Sequence, residues 1–188
     1  RIENALDLGC GEGYYTQAIQ TQVLQCVGVD IAKNAVQVAA KLTSEVTWIV
    51  ASGATLPILN QSIDLCTSLF SPIPQQEIAR VLKQRGYLLV VTPASQHLYA
   101  LREALFEEVK AHQPAKFVDQ LSQDFDLISS EVIDAPLQLN QQDLKHLIAM
   151  TPYAYKAKPE RRQALEQHKH FAVNAQFQLY VFQKKALD

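Results

Sequence analysis

The chain has 188 residues, 48% of them hydrophobic and 19% charged, with a formal net charge of −2, a composition that fits one globular domain with a sizeable buried core. No apolar run approaches the ~20 residues of a membrane span, which excludes a spanning helix, and no basic, apolar and cleavage-site succession of a secretory leader opens the chain, so the expectation is a cytoplasmic protein. The 3 cysteines, Cys10, Cys26 and Cys66, contain no C-x-x-C pair, which excludes a disulfide framework or a zinc site within these residues and leaves ordinary buried thiols.

The first predicted strand is Ala5–Leu8, starting almost at Arg1 without the lead-in helix usual in such domains, so a preceding segment is expected. It runs into Asp7-Leu8-Gly9-Cys10-Gly11-Glu12-Gly13. Alternate glycines let a backbone turn sharply and approach a ligand closely, and the following helix, Tyr14–Ile19, offers free N–H groups at its start. A dinucleotide loop spaced G-x-G-x-x-G cradles a pyrophosphate, which the Asp7 carboxylate would repel; an ammonium and a sulfonium are attracted instead. Asp7, Gly9, Gly11 and Gly13 therefore point to S-adenosylmethionine, with Tyr14 and Tyr15 placed to flank its methionine end. The acid and the glycine spacing make a nicotinamide-dependent dehydrogenase the weakest alternative.

The second strand, Gln25–Val29, ends at Asp30, where a carboxylate suits ribose hydroxyls, and Ile31 suits an adenine face; capping of the helix that begins near Lys33 is the plainer role for Asp30. A helical apolar spacing over Ala35–Leu42 precedes a third strand, Thr47–Val50. Ala51 and Ser52 follow it, where adenine contact is expected. The fourth strand, Ile63–Leu69, leads to Phe70 and Ser71, the position of the acceptor, with Phe70 able to stack on a base or to serve as core. Tyr87–Val91 forms the fifth strand. Runs apolar on both faces, alternating with helices, predict a doubly wound α/β domain over residues 1–188 with a mostly parallel sheet, its ligand at the carboxyl ends of the strands.

Beyond Ser95 the spacing predicts a long helix from Gln96 to about Ala111 and a polar stretch over His112–Gln123. A strand over Phe125–Ile133 and a helix capped by Asn140 and running through Ala149 follow. Residues 150–159 interrupt before a last helix and a closing strand, Phe177–Phe182, so that 96–165 supply substrate-side helical segments within the domain. His97, at the opening of the long helix, is the candidate acid, base or phosphate contact; His112, His146, His168 and His170 read as surface groups. Residues 151–188 carry 7 basic and 3 acidic side chains. Within them Tyr153, Tyr155, Lys156, Lys158, Arg161 and Arg162 combine aromatic faces with cations, the mixture that stacks an unpaired base while neutralising phosphates. A solvated basic helix start with two packing tyrosines is the plainer account.

Residues 6–16, Leu56-Pro57, Glu77–Gly86, Thr92–Leu98 and above all Met150-Thr151-Pro152-Tyr153-Ala154-Tyr155-Lys156-Ala157-Lys158-Pro159-Glu160 resemble the bacterial large-subunit (23S) ribosomal RNA guanine-N1 methyltransferases of the RlmA type. The glycine loop is common to class I methyltransferases at large, whereas the 150–160 segment is far more discriminating. The resemblance implies a class I fold with a seven-stranded sheet, S-adenosylmethionine as methyl donor, S-adenosylhomocysteine as product and ribosomal RNA as partner. It also implies an N-terminal four-cysteine zinc module, of which nothing is found in this chain, and it leaves monomer and homodimer open. The rival reading is a class I enzyme acting on a small metabolite, favoured by an acceptor pocket closed by residues 96–124 rather than an open basic groove.

Overall fold

Alternation of strand and helix governs the first half of the chain. In the computed structural model, which describes residues 2–113 and 115–186, the elements run in the order β1 (Asn4–Leu8), α1 (Tyr14–Gln20), β2 (Gln25–Asp30), α2 (Lys33–Leu42), β3 (Val46–Val50), β4 (Ile63–Leu69), α3 (Gln75–Val81) and β5 (Leu82–Pro93). Then come α4 (Tyr99–Leu105), α5 (Val118–Leu121), β6 (Phe125–Asn140), α6 (Gln141–Met150), α7 (Tyr153–Lys156), α8 (Pro159–Glu166) and β7 (His170–Lys184). One seven-stranded sheet has the order β3-β2-β1-β4-β5-β7-β6, in which β1 pairs in parallel with β2 and β4, β2 with β3, and β4 with β5. The chain leaves β1 toward β2 and β3, then returns to β4 on its other side. That reversal opens a crevice at the carboxyl end of β1, the place where doubly wound sheets bind ligands.

Burial on both faces explains why the strands read as continuous apolar runs. Leu6, Leu8, Val29, Cys66, Leu88 and Val90 join one core with Ile78 and Val81 of α3, while Ala5, Cys26 and Val46 form the other with Ile19 and Trp48 against them. The three cysteines are free and buried, as expected, and burial pushes the Cys10 and Cys26 thiols up to about 12. Two compact units emerge, one of residues Arg1–Thr92, Ala115–Glu131 and Leu179–Asp188, the other of Pro93–Pro114 and Val132–Gln178. The second has its own core of Leu98, Leu101, Leu105, Leu144, Ile148, Leu165 and Val173.

Several elements depart from the sequence reading, each for a local reason. The long helix expected over 96–111 is the seven-residue α4, because Leu98 takes a left-handed φ of 50° ahead of it and Phe106 is extended behind it. The fifth strand begins earlier than Tyr87, at Leu82, through an irregularity that shifts the β4–β5 register between Ile63 and Leu65, and Arg85 turns there with φ 59°. β6 continues past Ile133 through Pro136, a residue that edge strands, paired on one side only, can accommodate. β7 starts at His170 rather than Phe177. Among the described residues no helix is long and apolar enough to cross a membrane.

Candidate active site

Three left-handed glycines shape the turn after β1: Gly9, Gly11 and Gly13 have φ of 76°, 54° and 82°. The space around them differs. A Cβ on Gly9 would lie 2.4 Å from the Ser71 Cβ, and one on Gly13 2.5 Å from the Trp48 ring, whereas one on Gly11 would meet nothing within 4 Å. Trp48 also lies over Gly28, where a Cβ would sit 2.6 Å from the ring, so the indole is wedged against two glycines and tied by its Nε1–H to the Thr43 carbonyl at 3.1 Å. Sequence reasoning missed this brace, although a glycine inside a strand signals close approach of another group.

Asp7 is a buried carboxylate of β1. It is 2% exposed, and its two carboxylate oxygens accept from the hydroxyls of Thr16, at 2.6 Å, and Thr67, at 2.7 Å. Register makes this inevitable, since Asp7 lies beside Thr67 in the β1–β4 ladder. Burial pushes the Asp7 carboxyl above its ordinary range, against the pull of the two hydroxyl bonds. The group thus fastens α1 and β4 to β1 at the root of the loop.

Asp30 is the acid that does line the crevice. Its Oδ2 accepts from the Gly11 N–H at 2.8 Å and its Oδ1 from the Ala32 N–H at 2.8 Å, so it holds the glycine loop to the end of β2 and also makes the local turn before α2. Around it is a cavity of about 600 Å3, in the range of small-molecule sites. The cavity brings together Gly9, Asp30, Ile31, Ala51, Ser52, Phe70 and Ser71, all predicted, with Gly53 and Pro72, which the strand ends also put on the ligand side, and with Ile73 and Pro74, for which the sequence carried no signal. Asp7, Gly11, Gly13, Tyr14 and Tyr15 lie outside its lining. Tyr14 and Tyr15 are 80% and 49% exposed, and the Tyr15 ring centroid is 6.4 Å from that of Phe70. Phe70, with φ 59° and 48% exposure, is no core residue. Two predicted polar contacts are occupied locally: the Ser71 hydroxyl donates to the Leu8 carbonyl at 2.7 Å, and Ser52 Oγ accepts from the Ala54 N–H at 3.2 Å.

The cavity's Ala51–Ala54 wall leads into a loop clamped by Glu77 and Arg80. Glu77 accepts from the Leu56 N–H at 2.6 Å and from Arg80 Nε at 2.7 Å, while Arg80 donates to the Leu56 and Ile58 carbonyls. The Arg80 bond, then the backbone N–H, hold the Glu77 carboxyl down at about 2. A depressed carboxylate stabilises the fold above its unfolded pKa and loses that contribution as the pH falls toward the folded one. Glu77→Gln should therefore cost roughly 1 kcal/mol near neutrality, solvent screening included, and the deficit should vanish as the pH approaches the folded value. Denaturant unfolding of both proteins across that pH range checks this.

Within the second unit, His97 is half-buried in the turn before α4 and is not a solvated helix-start residue. Its Nδ1 lies 2.9 Å from the Gln176 carbonyl, which fixes that nitrogen as the donor and leaves Nε2 as an acceptor. Burial, opposed by the Gln176 bond and aided by His112 and Arg102, pushes the ring below its ordinary pKa and so favours its neutral form. His112, read as a surface group, is half-buried as well; its Nε2 is 3.5 Å from the Tyr153 hydroxyl, and burial and Arg102 lower its pKa. Tyr153 packs edge-on against Phe106, centroids 5.8 Å apart, and is partly buried against the core of the second unit. Tyr155 is 89% exposed. Lys158 pairs with Glu107 at 2.7 Å, with Arg161 3.9 Å from the same carboxylate, and Arg162 pairs with Glu166 at 2.6 Å. The cationic segment is therefore partly neutralised, although exposed pairs of this kind are weak enough to exchange partners. Among the described residues no group of three or more His, Cys, Asp or Glu could hold a metal ion.

Comparison with known proteins agrees with this geometry. Residues 6–90 match the family model described as "Methyltransferase domain". YxjB of Bacillus subtilis, to which the name 23S rRNA (guanine-N1)-methyltransferase is provisionally given, is 29% identical over 175 residues, covering 87% of this chain and 61% of its own. The 23S rRNA (guanine(748)-N1)-methyltransferase of Streptomyces fradiae is 30% identical over 159 residues, covering 82% and 57%. The chain thus spans a little over half the length of these relatives. A solved structure from Bacillus halodurans, described provisionally as a methyltransferase, superposes with a TM-score of 0.66 at 18% identity, covering 98% of this chain and 94% of that one. Strand order, the switch-point cavity and the match over residues 6–90 agree, and the chain has the class I methyltransferase fold.

Proposed function

We propose that the chain is the catalytic part of an enzyme that methylates N1 of a guanine in 23S ribosomal RNA. The observation that carries this reading is the extent of the similarity. The methyltransferase model ends at residue 90, yet the relatives named for guanine-N1 methylation match over 175 and 159 residues, far enough to include most of the second unit. The donor-binding half is generic, so the remainder is where a substrate class is recorded.

The cavity residues fit S-adenosylmethionine. Each Asp30 oxygen has given one lone pair to a backbone N–H and keeps capacity for a ribose hydroxyl, Ile31 is 75% exposed beside it, and the space over Gly11 is open. Ala51 and Ser52 border the adenine side through their backbone, since the Ser52 hydroxyl is used in its own turn. Asp30→Ala should weaken cofactor binding by ~1–3 kcal/mol in a calorimetric titration. Unchanged affinity would remove Asp30 from the site.

S-adenosylmethionine supplies an activated methyl on a sulfonium, so the protein's share is alignment, exclusion of water and removal of the guanine N1 proton. His97 is the proposed proton acceptor, because the Gln176 carbonyl holds its Nδ1 as the donor and leaves Nε2 to accept, and burial favours the neutral ring. Phe70 provides an exposed aromatic face at the end of β4 for the base, and Ser71 supports it by anchoring that turn to Leu8. Tyr155, Lys156, Lys158, Arg161 and Arg162 form the RNA-facing segment. Replacing the four cations together should lower RNA affinity and reduce the slope of log K against log salt by about 0.7–0.9 for each phosphate no longer neutralised, leaving cofactor affinity intact.

Reverse transcription across 23S ribosomal RNA incubated with the full-length protein and S-adenosylmethionine tests the reading, because a methyl on N1 blocks base pairing and halts the polymerase. A cofactor-dependent stop at a single guanine is expected. Cofactor binding without any stop would redirect the assignment to a small-molecule acceptor.

A further inference from the structure

A second concavity, of about 440 Å3, lies wholly within the second unit and shares no residue with the cofactor cavity. Gln96 and Tyr99 border it from the start of α4, Gln138 from β6, and Asn174 and Gln176 from β7; alanine, proline, valine and leucine side chains complete the lining. No Lys, Arg, Asp or Glu lines it, so it has no countercharge for a phosphate, a carboxylate or an ammonium group. Its recognition elements are one aromatic ring and four primary amides.

We propose that this concavity holds an unpaired nucleobase. Side-chain amides present a donor and an acceptor side by side, the pattern that pairs bidentately with a base edge, and an aromatic ring supplies the stacking face on which single-stranded bases are held. Tyr99 is braced for that role: the Arg102 guanidinium lies 5.7 Å from its ring centroid and is itself committed to the Ser95, His97 and Lys110 carbonyls. The amides are oriented too. Asp134 accepts from the Asn174 and Gln176 amide nitrogens at 3.3 and 3.4 Å, and Gln176 Oε1 accepts from the Gln96 N–H at 3.3 Å. Gln176 also connects the pocket to the proposed proton acceptor, since its main-chain carbonyl is the partner of His97 Nδ1 at 2.9 Å. A base held against these amides would rest on the residue that fixes the imidazole. This deepens the RNA reading and rests on it for the source of the base.

The test uses the full-length protein saturated with S-adenosylhomocysteine, so that the adenosine-binding cavity is filled, and titrates it with guanosine or with ribose while the side-chain amide signals of Gln96, Gln138 and Asn174 are followed by NMR. Guanosine should shift all three saturably and ribose should not. Tyr99→Ala should weaken guanosine binding at least ten-fold, Tyr99→Phe should retain it, and Gln138→Ala, on an exposed strand position, should weaken it without disturbing the fold. Signals that guanosine leaves in place, or equal binding by Tyr99→Ala and Gln138→Ala, would overturn the pocket. Guanosine binding by a protein that never methylates 23S RNA would keep the pocket and retire the RNA reading. Methylation by the parent and by both variants at equal KM would do the reverse.

Discussion

Gly9→Ala should abolish measurable cofactor binding, weakening it by about 3 kcal/mol or more, roughly 100-fold. Two costs combine: an alanine at φ 76° carries a left-handed penalty of ~1–2 kcal/mol, and its Cβ would sit 2.4 Å from the Ser71 Cβ. Ser71 cannot retreat freely, because its hydroxyl is bonded to the Leu8 carbonyl at 2.7 Å and to Ser68 at 2.9 Å. The collision therefore passes into the ends of β1 and β4, which form the crevice. Gly11→Ala is the informative contrast. At φ 54° it bears a similar backbone penalty, but its Cβ enters open space, so its melting temperature should change much less while ligand approach is obstructed. Calorimetry and thermal unfolding of the two variants separate a damaged loop from a blocked one, and equal melting temperatures for both would contradict the Ser71 contact.

The second large effect falls on Arg102, which is 4% exposed and has no carboxylate partner among the described residues. Its guanidinium donates to the His97, Lys110 and Ser95 carbonyls at 3.0, 2.8 and 3.1 Å. Those three bonds gather the chain on both sides of α4. Arg102→Ala leaves three carbonyls without that donor and should destabilise the second unit by about 3 kcal/mol, with Arg102→Lys little better, because an ammonium lacks the planar fork that reaches all three. Both variants should unfold at lower denaturant concentration. The charge of Arg102 also lowers the pKa of His97 and His112, so in the alanine variant both rings should titrate at higher pH by NMR. An unmoved His97 titration would separate Arg102 from that ring.

How far the sequence was legible depends on the range of the interaction that decided each feature. β1 to β4, α1 and α2 were readable because their apolar spacing is local and their neighbours bury both faces. Asp30, Ile31, Ala51, Ser52 and Phe70 could be placed together from the sequence because each lies at or just after a strand end in such a sheet, and all of them line the cavity. The hydroxyl partners of Asp7 were not legible, since Thr67, which takes one of its oxygens, is sixty positions away in sequence and adjacent only through strand register. The helix expected over 96–111 failed because Arg102 offers its hydrogen bonds to carbonyls on either side of α4, an arrangement that outweighs helical propensity. Tyr153 and the cations behind it were read from their local mixture of aromatic and basic side chains, whereas their partners Phe106, Glu107 and His112 lie in a different segment with no local signal to announce them.

The most direct test of the central claim is nucleoside analysis by mass spectrometry of 23S ribosomal RNA incubated with the full-length protein and methyl-labelled S-adenosylmethionine. The account predicts that the label is recovered as 1-methylguanosine, and that Gly9→Ala eliminates it. Label on an exocyclic amine, on a ribose or on another base, or none in RNA while a small molecule becomes methylated, would contradict it.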